Sequence, residues 1–138
     1  MTDSSFVSLA EKIATEAHAG QFRRTGEPYI EHPRAVVNRV SGDTDAQVVA
    51  WLHDVIEDTE VSAERLRAEG IPQQLIDAVV LVTKTKGQSY EDYLQDIAAS
   101  PLAKKVKIAD MLSNLADNPT DRQIRKYAKG LLRLTEET

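Results

Sequence analysis

No cysteine occurs anywhere in the 138 residues, which excludes a disulfide-stapled scaffold. Nor does any apolar run approach the roughly 18 residues that a membrane span requires, so no transmembrane helix is expected. Residues 1–6 lack the basic start and apolar stretch of a secretory signal. These absences together predict a cytoplasmic location. Strand-like alternation and internal repeats are missing as well. What remains is helical periodicity on a chain long enough for one core and too short for a second. The expected fold is all-α, with residues 1–138 forming a single domain.

Charge is spread unevenly. Residues 1–100 carry 9 Lys/Arg against 17 Asp/Glu, whereas residues 101–138 carry 8 against 5. An acidic body argues against a nucleic-acid binder, because affinity for a phosphate backbone comes mainly from concentrated positive charge. The basic C-terminal third suits either a solvated helix surface or a small phosphorylated ligand, and charge alone does not separate the two.

Apolar spacing predicts about eight helices joined by short turns. The first covers about residues 5–19, with Phe6, Leu9, Ile13 and Ala17 at helical spacing and Gly20 placed to end it. The loop over residues 21–31 contains Gly26, Pro28 and two adjacent arginines, so it is punctuated for turns and exposed for binding. A second helix begins at His32-Pro33 and runs to about residue 40. Thr44 with Gln47 forms a capping-box pattern that opens a third, reaching about residue 58. Shorter helices are expected near residues 62–69 and 72–83. Ser89 with Asp92 supplies another capping box. Pro101 suits the first position of a long helix to about residue 117, and Thr120 with Gln123 opens the last.

Two of these helices carry groups with chemical potential. Winding the third at about 100° per residue puts Val48, Val49, Leu52, Val55 and Ile56 in a core arc. His53, Asp54, Glu57 and Asp58 fall on the remaining arc, with Ala50 near its centre. A solvated acidic face is one reading; but Asp54 repels Glu57 and Asp58 at helical contact distance, and a cation between them would relieve that repulsion. On the long helix, Asp110 and Asn114 lie at the margin of a wide apolar arc. A carboxylate there needs a partner, either a metal or Lys107 one turn earlier. His32 taken alone suits packing, capping or ligation equally.

Taken together, His32, the adjacent His53-Asp54 and the distant Asp110 follow the H…HD…D order that names the HD superfamily of metal-dependent phosphohydrolases. Imidazole and carboxylate donors with open positions for water suit a divalent ion such as Mn²⁺. Residues 17–33 (AHAGQFRRTGEPYIEHP), 52–59 (LHDVIEDT) and 106–115 (VKIADMLSNL) resemble more narrowly the hydrolase domain of RelA/SpoT-type alarmone enzymes and their small stand-alone relatives. Residues 82–84 (VTK) match more weakly.

The resemblance implies roles by position. His32, His53, Asp54 and Asp110 would hold one Mn²⁺ per chain. Glu57 and Asp58 would act on the hydrolytic water. Arg23, Arg24, Asn114 and Tyr127 would meet a phosphorylated nucleotide, and His18 would support or pack. The implied activity is release of pyrophosphate from the 3′ position of guanosine-3′,5′-bis(diphosphate), with no synthetase activity expected. Two departures stand out: Arg23-Arg24 replaces the family's usual Arg-Lys pair, and the chain is shorter than most such domains, which leaves open a phosphohydrolase acting on another nucleotide. A noncatalytic nucleotide-binding sensor is the rival from another class; it would have been free to lose some ligands or the Glu57-Asp58 pair, and all are present. Because Arg23 and Arg24 lie in a Gly- and Pro-punctuated loop, they are expected to serve substrate rather than fold, so that removing either weakens catalysis and leaves the melting temperature nearly unchanged.

Overall fold

A computed structural model describes residues 4–136. Among them are nine helices: α1 (Ser4–Ala17), α2 (Glu31–Arg39), α3 (Thr44–Leu52), α4 (Val55–Asp58), α5 (Ala63–Ala68), α6 (Gln73–Leu81), α7 (Tyr90–Ala98), α8 (Pro101–Leu115) and α9 (Asp121–Leu134). An isolated antiparallel bridge joins Phe22 to Pro28. No helix among the described residues is long and apolar enough to cross a membrane.

The expected count of about eight becomes nine because one expected helix is broken. The Ala50 carbonyl, which would take the Asp54 N–H in a continuous helix, accepts instead from the His53 backbone at 3.5 Å and from His53 Nδ1 at 2.7 Å. A side chain inserted into the hydrogen-bond ladder ends the regular turn. Asp54 then adopts φ −106°, ψ 0° at the position before α4, with its side chain left free of any capping bond to that helix. Adjacent residues of an unbroken helix diverge by about 100°; the interruption lets His53 and Asp54 approach one another.

Most start signals act as the sequence implied, with one shifted. Ser89 accepts from the Asp92 N–H, Ser100 from that of Ala103 ahead of Pro101, and Thr120 with Gln123 completes a reciprocal capping box. At α3, however, the cap is Asp43 and not Thr44, which is already the first helical residue. Asp43 is extended, accepts from the Ala46 N–H at 3.0 Å and is held by Lys105 Nζ at 2.7 Å. The ionised carboxylate is the stronger acceptor at a helix N-terminus.

Helix α3 packs against α1, α2, α6 and α8, and Ala46, Val48, Val49, Ala50, Trp51 and Leu52 are all buried. Ala50 therefore lies within the core and not at the centre of a solvent-facing arc. α3 is covered all round, as expected of a helix without a polar face. The main core gathers α3 with Ala10 and Ala14 of α1, Val36 of α2, Leu66 of α5, Leu75 of α6 and Val106 of α8. A second cluster joins Tyr93, Leu94 and Ile97 of α7 to Met111 of α8 and Leu134 of α9. α8 belongs to both clusters, and between its Ala109 and Met111, one in each, stands the buried Asp110.

Asp43 links the start of the central helix to α8 through Lys105. Its hydrogen bond to Lys105, followed by that to the Ala46 N–H, holds its carboxyl below the usual carboxylate range. The sign follows: the stabilisation is present above the ordinary pKa and is lost as pH falls through the depressed folded value. Asp43→Ala is expected to cost about 1 kcal/mol at neutral pH, the usual worth of such a cap. Urea midpoints of both proteins should converge in acid; a gap that persists at the lowest pH would show that the carboxylate charge is not the source.

Candidate metal and phosphate site

Four side chains from three separate elements meet beneath the α3/α4 break. α2 brings His32 in its first turn, the break supplies His53 and Asp54, and α8 supplies Asp110. His32, His53 and Asp110 are only 4%, 3% and 5% exposed. His32 Nε2 lies 2.9 Å from Asp110 Oδ1 and 3.3 Å from His53 Nε2. His53 Nε2 is in turn 3.1 Å from Asp54 Oδ2 and 3.4 Å from Asp110 Oδ1, and His32 Nε2 is 3.8 Å from Asp54 Oδ2. One donor atom each from His32, His53 and Asp110 falls within 4.8 Å of the others, a spread that a single divalent ion can bridge. Asp54 Oδ2 stands beside both imidazoles. His53 Nδ1–H is fixed on the Ala50 carbonyl, which turns Nε2 inward, the arrangement usual for an imidazole ligand.

Desolvation works against every charge here, yet the groups compensate one another. Burial pushes His53 toward its neutral form, but Asp54 and Asp110 together raise it well above an ordinary histidine. Burial likewise pushes Asp110 up, and it is overcome by Lys107 and His53, so that Asp110 remains a carboxylate. Asp54 is also held below the carboxylate range, chiefly by His53 working against burial. The sequence left Asp110 with two candidate partners, and its two oxygens separate them: Oδ2 accepts from Lys107 Nζ at 3.0 Å, while Oδ1 faces the histidines. Asn114 Nδ2 donates to the same Oδ1 at 3.2 Å.

Glu57 and Asp58 follow on α4. Glu57 is exposed and its Oε1 accepts from the Lys84 N–H at 2.8 Å, which ties α4 to the turn after α6. Asp58 is raised above the usual carboxylate range by partial burial and by the charges of Asp54 and Glu57. Tyr127 of α9 is half-buried in the second cluster, near enough that burial and then the Asp110 charge raise its phenol.

The arginines are engaged within the protein, contrary to the expectation of a loop with no structural work. Arg23 Nη1 pairs with Asp117 Oδ2 at 2.6 Å. Arg24 Nη2 donates to the Asn118 carbonyl at 2.5 Å and reaches Gln123 Oε1 at 3.3 Å. These contacts latch the loop to the segment between α8 and α9 and to the first turn of α9, far away in the sequence.

Two contributors escaped a role in the sequence reading. Tyr29, three residues before His32, donates its hydroxyl to Asp54 Oδ2 at 2.6 Å. Gln21 Nε2 donates to the Asp58 carbonyl at 3.0 Å. Both stand within the segment that carries the family resemblance, and that placement was the only available signal. His18, expected to support or pack, is 2% exposed, lies 4.9 Å from the Tyr29 ring and bonds Gln21 Oε1 through Nδ1 at 2.9 Å.

Comparison with known proteins points the same way. Residues 10–100 match the family described as "HD domain". The chain is 34% identical over 145 residues to the bifunctional (p)ppGpp synthase/hydrolase RelA of Mycobacterium tuberculosis, covering 94% of this chain and 19% of that protein. It is 38% identical over 111 residues to the guanosine-3′,5′-bis(diphosphate) 3′-pyrophosphohydrolase of Haemophilus influenzae, covering 76% of this chain and 16% of that protein. The chain thus spans less than a fifth of these curated relatives. Among solved structures it is similar to a metazoan ortholog of SpoT described as hydrolysing ppGpp, with a TM-score of 0.81, 27% identity, and coverage of 99% of this chain and 89% of that one.

The arginine contacts generate a test of their own. Arg23→Ala is expected to lower stability by about 0.5–1 kcal/mol, the upper range for a partly exposed ion pair. The loss should shrink in high salt. An unchanged urea midpoint at low salt would return the loop to a purely substrate-facing role.

Proposed function

Because the chain belongs to the HD domain family, we propose that it is a divalent-metal phosphohydrolase that removes the 3′-diphosphate of guanosine-3′,5′-bis(diphosphate) as pyrophosphate. The observation that carries this reading is the convergence of His32, His53 and Asp110 donor atoms within 4.8 Å, with Asp54 alongside. The donor set fits a divalent ion: two inward-facing imidazole nitrogens 3.3 Å apart and two ionised carboxylates offer a cation more than they offer one another. Nitrogen and oxygen donors without sulfur suit Mn²⁺. His32, His53, Asp54 and Asp110 would hold it, and bound there it supplies Lewis acidity and a water of lowered pKa.

The surrounding residues have matching work. Asp58, with its raised proton affinity, and Glu57, fixed by the Lys84 N–H, orient and deprotonate the attacking water. Its oxygen joins the phosphorus next to the ribose, the bond from that phosphorus to the 3′ oxygen breaks, and the 3′ oxygen takes up a proton. Asn114 and Tyr127 border the cluster on the α8 and α9 side, where the nucleotide is seated. Arg23 and Arg24, held at Asp117 and Asn118 just beyond the end of α8, would supply positive charge for the phosphates. Those partnerships favour one alternative, a related phosphohydrolase with another nucleotide substrate, since arginines already committed within the fold have fewer donors for guanine. Pyrophosphate release from ppGpp, measured with and without Mn²⁺ beside a panel of other nucleotides, distinguishes the two.

Glu57→Gln is the informative variant. The amide oxygen still accepts from Lys84, but the group no longer takes a proton. We expect near-normal Mn²⁺ content and helicity with kcat reduced about 10²–10⁴-fold. Loss of metal would make Glu57 a ligand, and undiminished turnover would remove it from the reaction.

A further inference from the structure

We propose that Tyr29 is a positioning residue that locks Asp54 and Asp58 into one rigid unit, joining the metal-binding carboxylate to the water-handling one; the inference rests on the metal site proposed above. The Tyr29 hydroxyl donates to Asp54 Oδ2 at 2.6 Å and stands 3.4 Å from Asp58 Oδ2. Both carboxylates are acceptors, so the phenol must be the donor.

The ring is held on several sides. Tyr29 N–H donates to the Gln21 carbonyl at 2.9 Å, which closes the turn that bridges Phe22 to Pro28. The ring packs 4.9 Å from His18 and stands edge-on to His32 at 6.0 Å between centroids. Gln21, gripped by His18 Nδ1 at 2.9 Å, donates to the Asp58 main-chain carbonyl at 3.0 Å. The turn therefore holds Asp58 by its backbone and Asp54 by its side chain, from one small element. Such an arrangement fixes Asp54 Oδ2 beside the two imidazoles that would hold the metal with it and keeps Asp58 from swinging away. Partners one step behind a ligand commonly account for 10–100-fold in metal affinity.

Tyr29→Phe tests this, since it removes one oxygen and keeps the ring that packs on His18 and His32. Mn²⁺ affinity measured by calorimetry is expected to weaken about 10-fold or more, with far-UV circular dichroism unchanged. kcat on any phosphorylated nucleotide that the wild type cleaves should fall while KM changes little. A merely structural tyrosine would lower the melting temperature and leave Mn²⁺ affinity alone, and that result in folded protein overturns the proposal. Because the metal readout needs no substrate, failure of the ppGpp assignment shows separately, as a wild type that binds Mn²⁺ and leaves ppGpp intact. Should Tyr29→Phe not fold, wild-type protein labelled with 3-fluorotyrosine decides. The Tyr29 ¹⁹F resonance, assigned by elimination with Tyr90→Phe, Tyr93→Phe and Tyr127→Phe, must shift on saturation with Mg²⁺, and an unmoved resonance overturns the proposal.

Discussion

Asp110 meets His32 at 2.9 Å in a part of the molecule where both are almost fully buried, and the rest of the structure is arranged around making that meeting tolerable. An isolated buried carboxylate is costly, and breaking a buried pair costs more than the pair contributes. Here the charge is shared among Lys107, His53, His32 and Asn114, each reaching one of the two Asp110 oxygens. α8 must therefore be long and mostly apolar, to bury that carboxylate between two core clusters, and α3 must be covered all round, to carry His53 into the same interior.

The break between α3 and α4 follows from the same constraint. A continuous helix separates the side chains of neighbouring residues, whereas the cluster requires His53 and Asp54 together. By taking the Ala50 carbonyl, His53 Nδ1 ends the regular turn and fixes its own ring. One hydrogen bond thereby sets the tautomer, the direction of Nε2 and the position of Asp54. The Tyr29 turn from one side and the Lys84 backbone from the other then hold the carboxylates of Asp54 and Glu57.

Helical periodicity carried the all-α fold, and Ser100 with Pro101 and Thr120 with Gln123 marked their helix starts, because those signals are local. The α3/α4 break was not legible: the apolar pattern runs through Val55 and Ile56 without interruption, and only the side chain of His53 ends the helix. The cap at Asp43 was one residue from the expected Thr44 for a similar reason, since Lys105, which holds Asp43, arrives from α8. The order of His32, His53-Asp54 and Asp110 was readable through family resemblance, and the interior that joins them was not. Arg23 and Arg24 show the limit most clearly. Their loop composition suggested free binding groups, and nothing in residues 21–31 shows that Asp117 and Asn118 stand opposite.

The buried donors of His32, His53 and Asp110 converge as a site for a divalent cation. Thermal unfolding of chelator-treated protein, followed as Mn²⁺ is added, tests it without reference to any substrate. An ion that binds only the folded form raises the melting temperature, so a rise is expected that saturates at one ion per chain and is lost in His53→Ala and Asp110→Ala. A wild-type curve indifferent to Mn²⁺, or variants that keep full metal content, would contradict it.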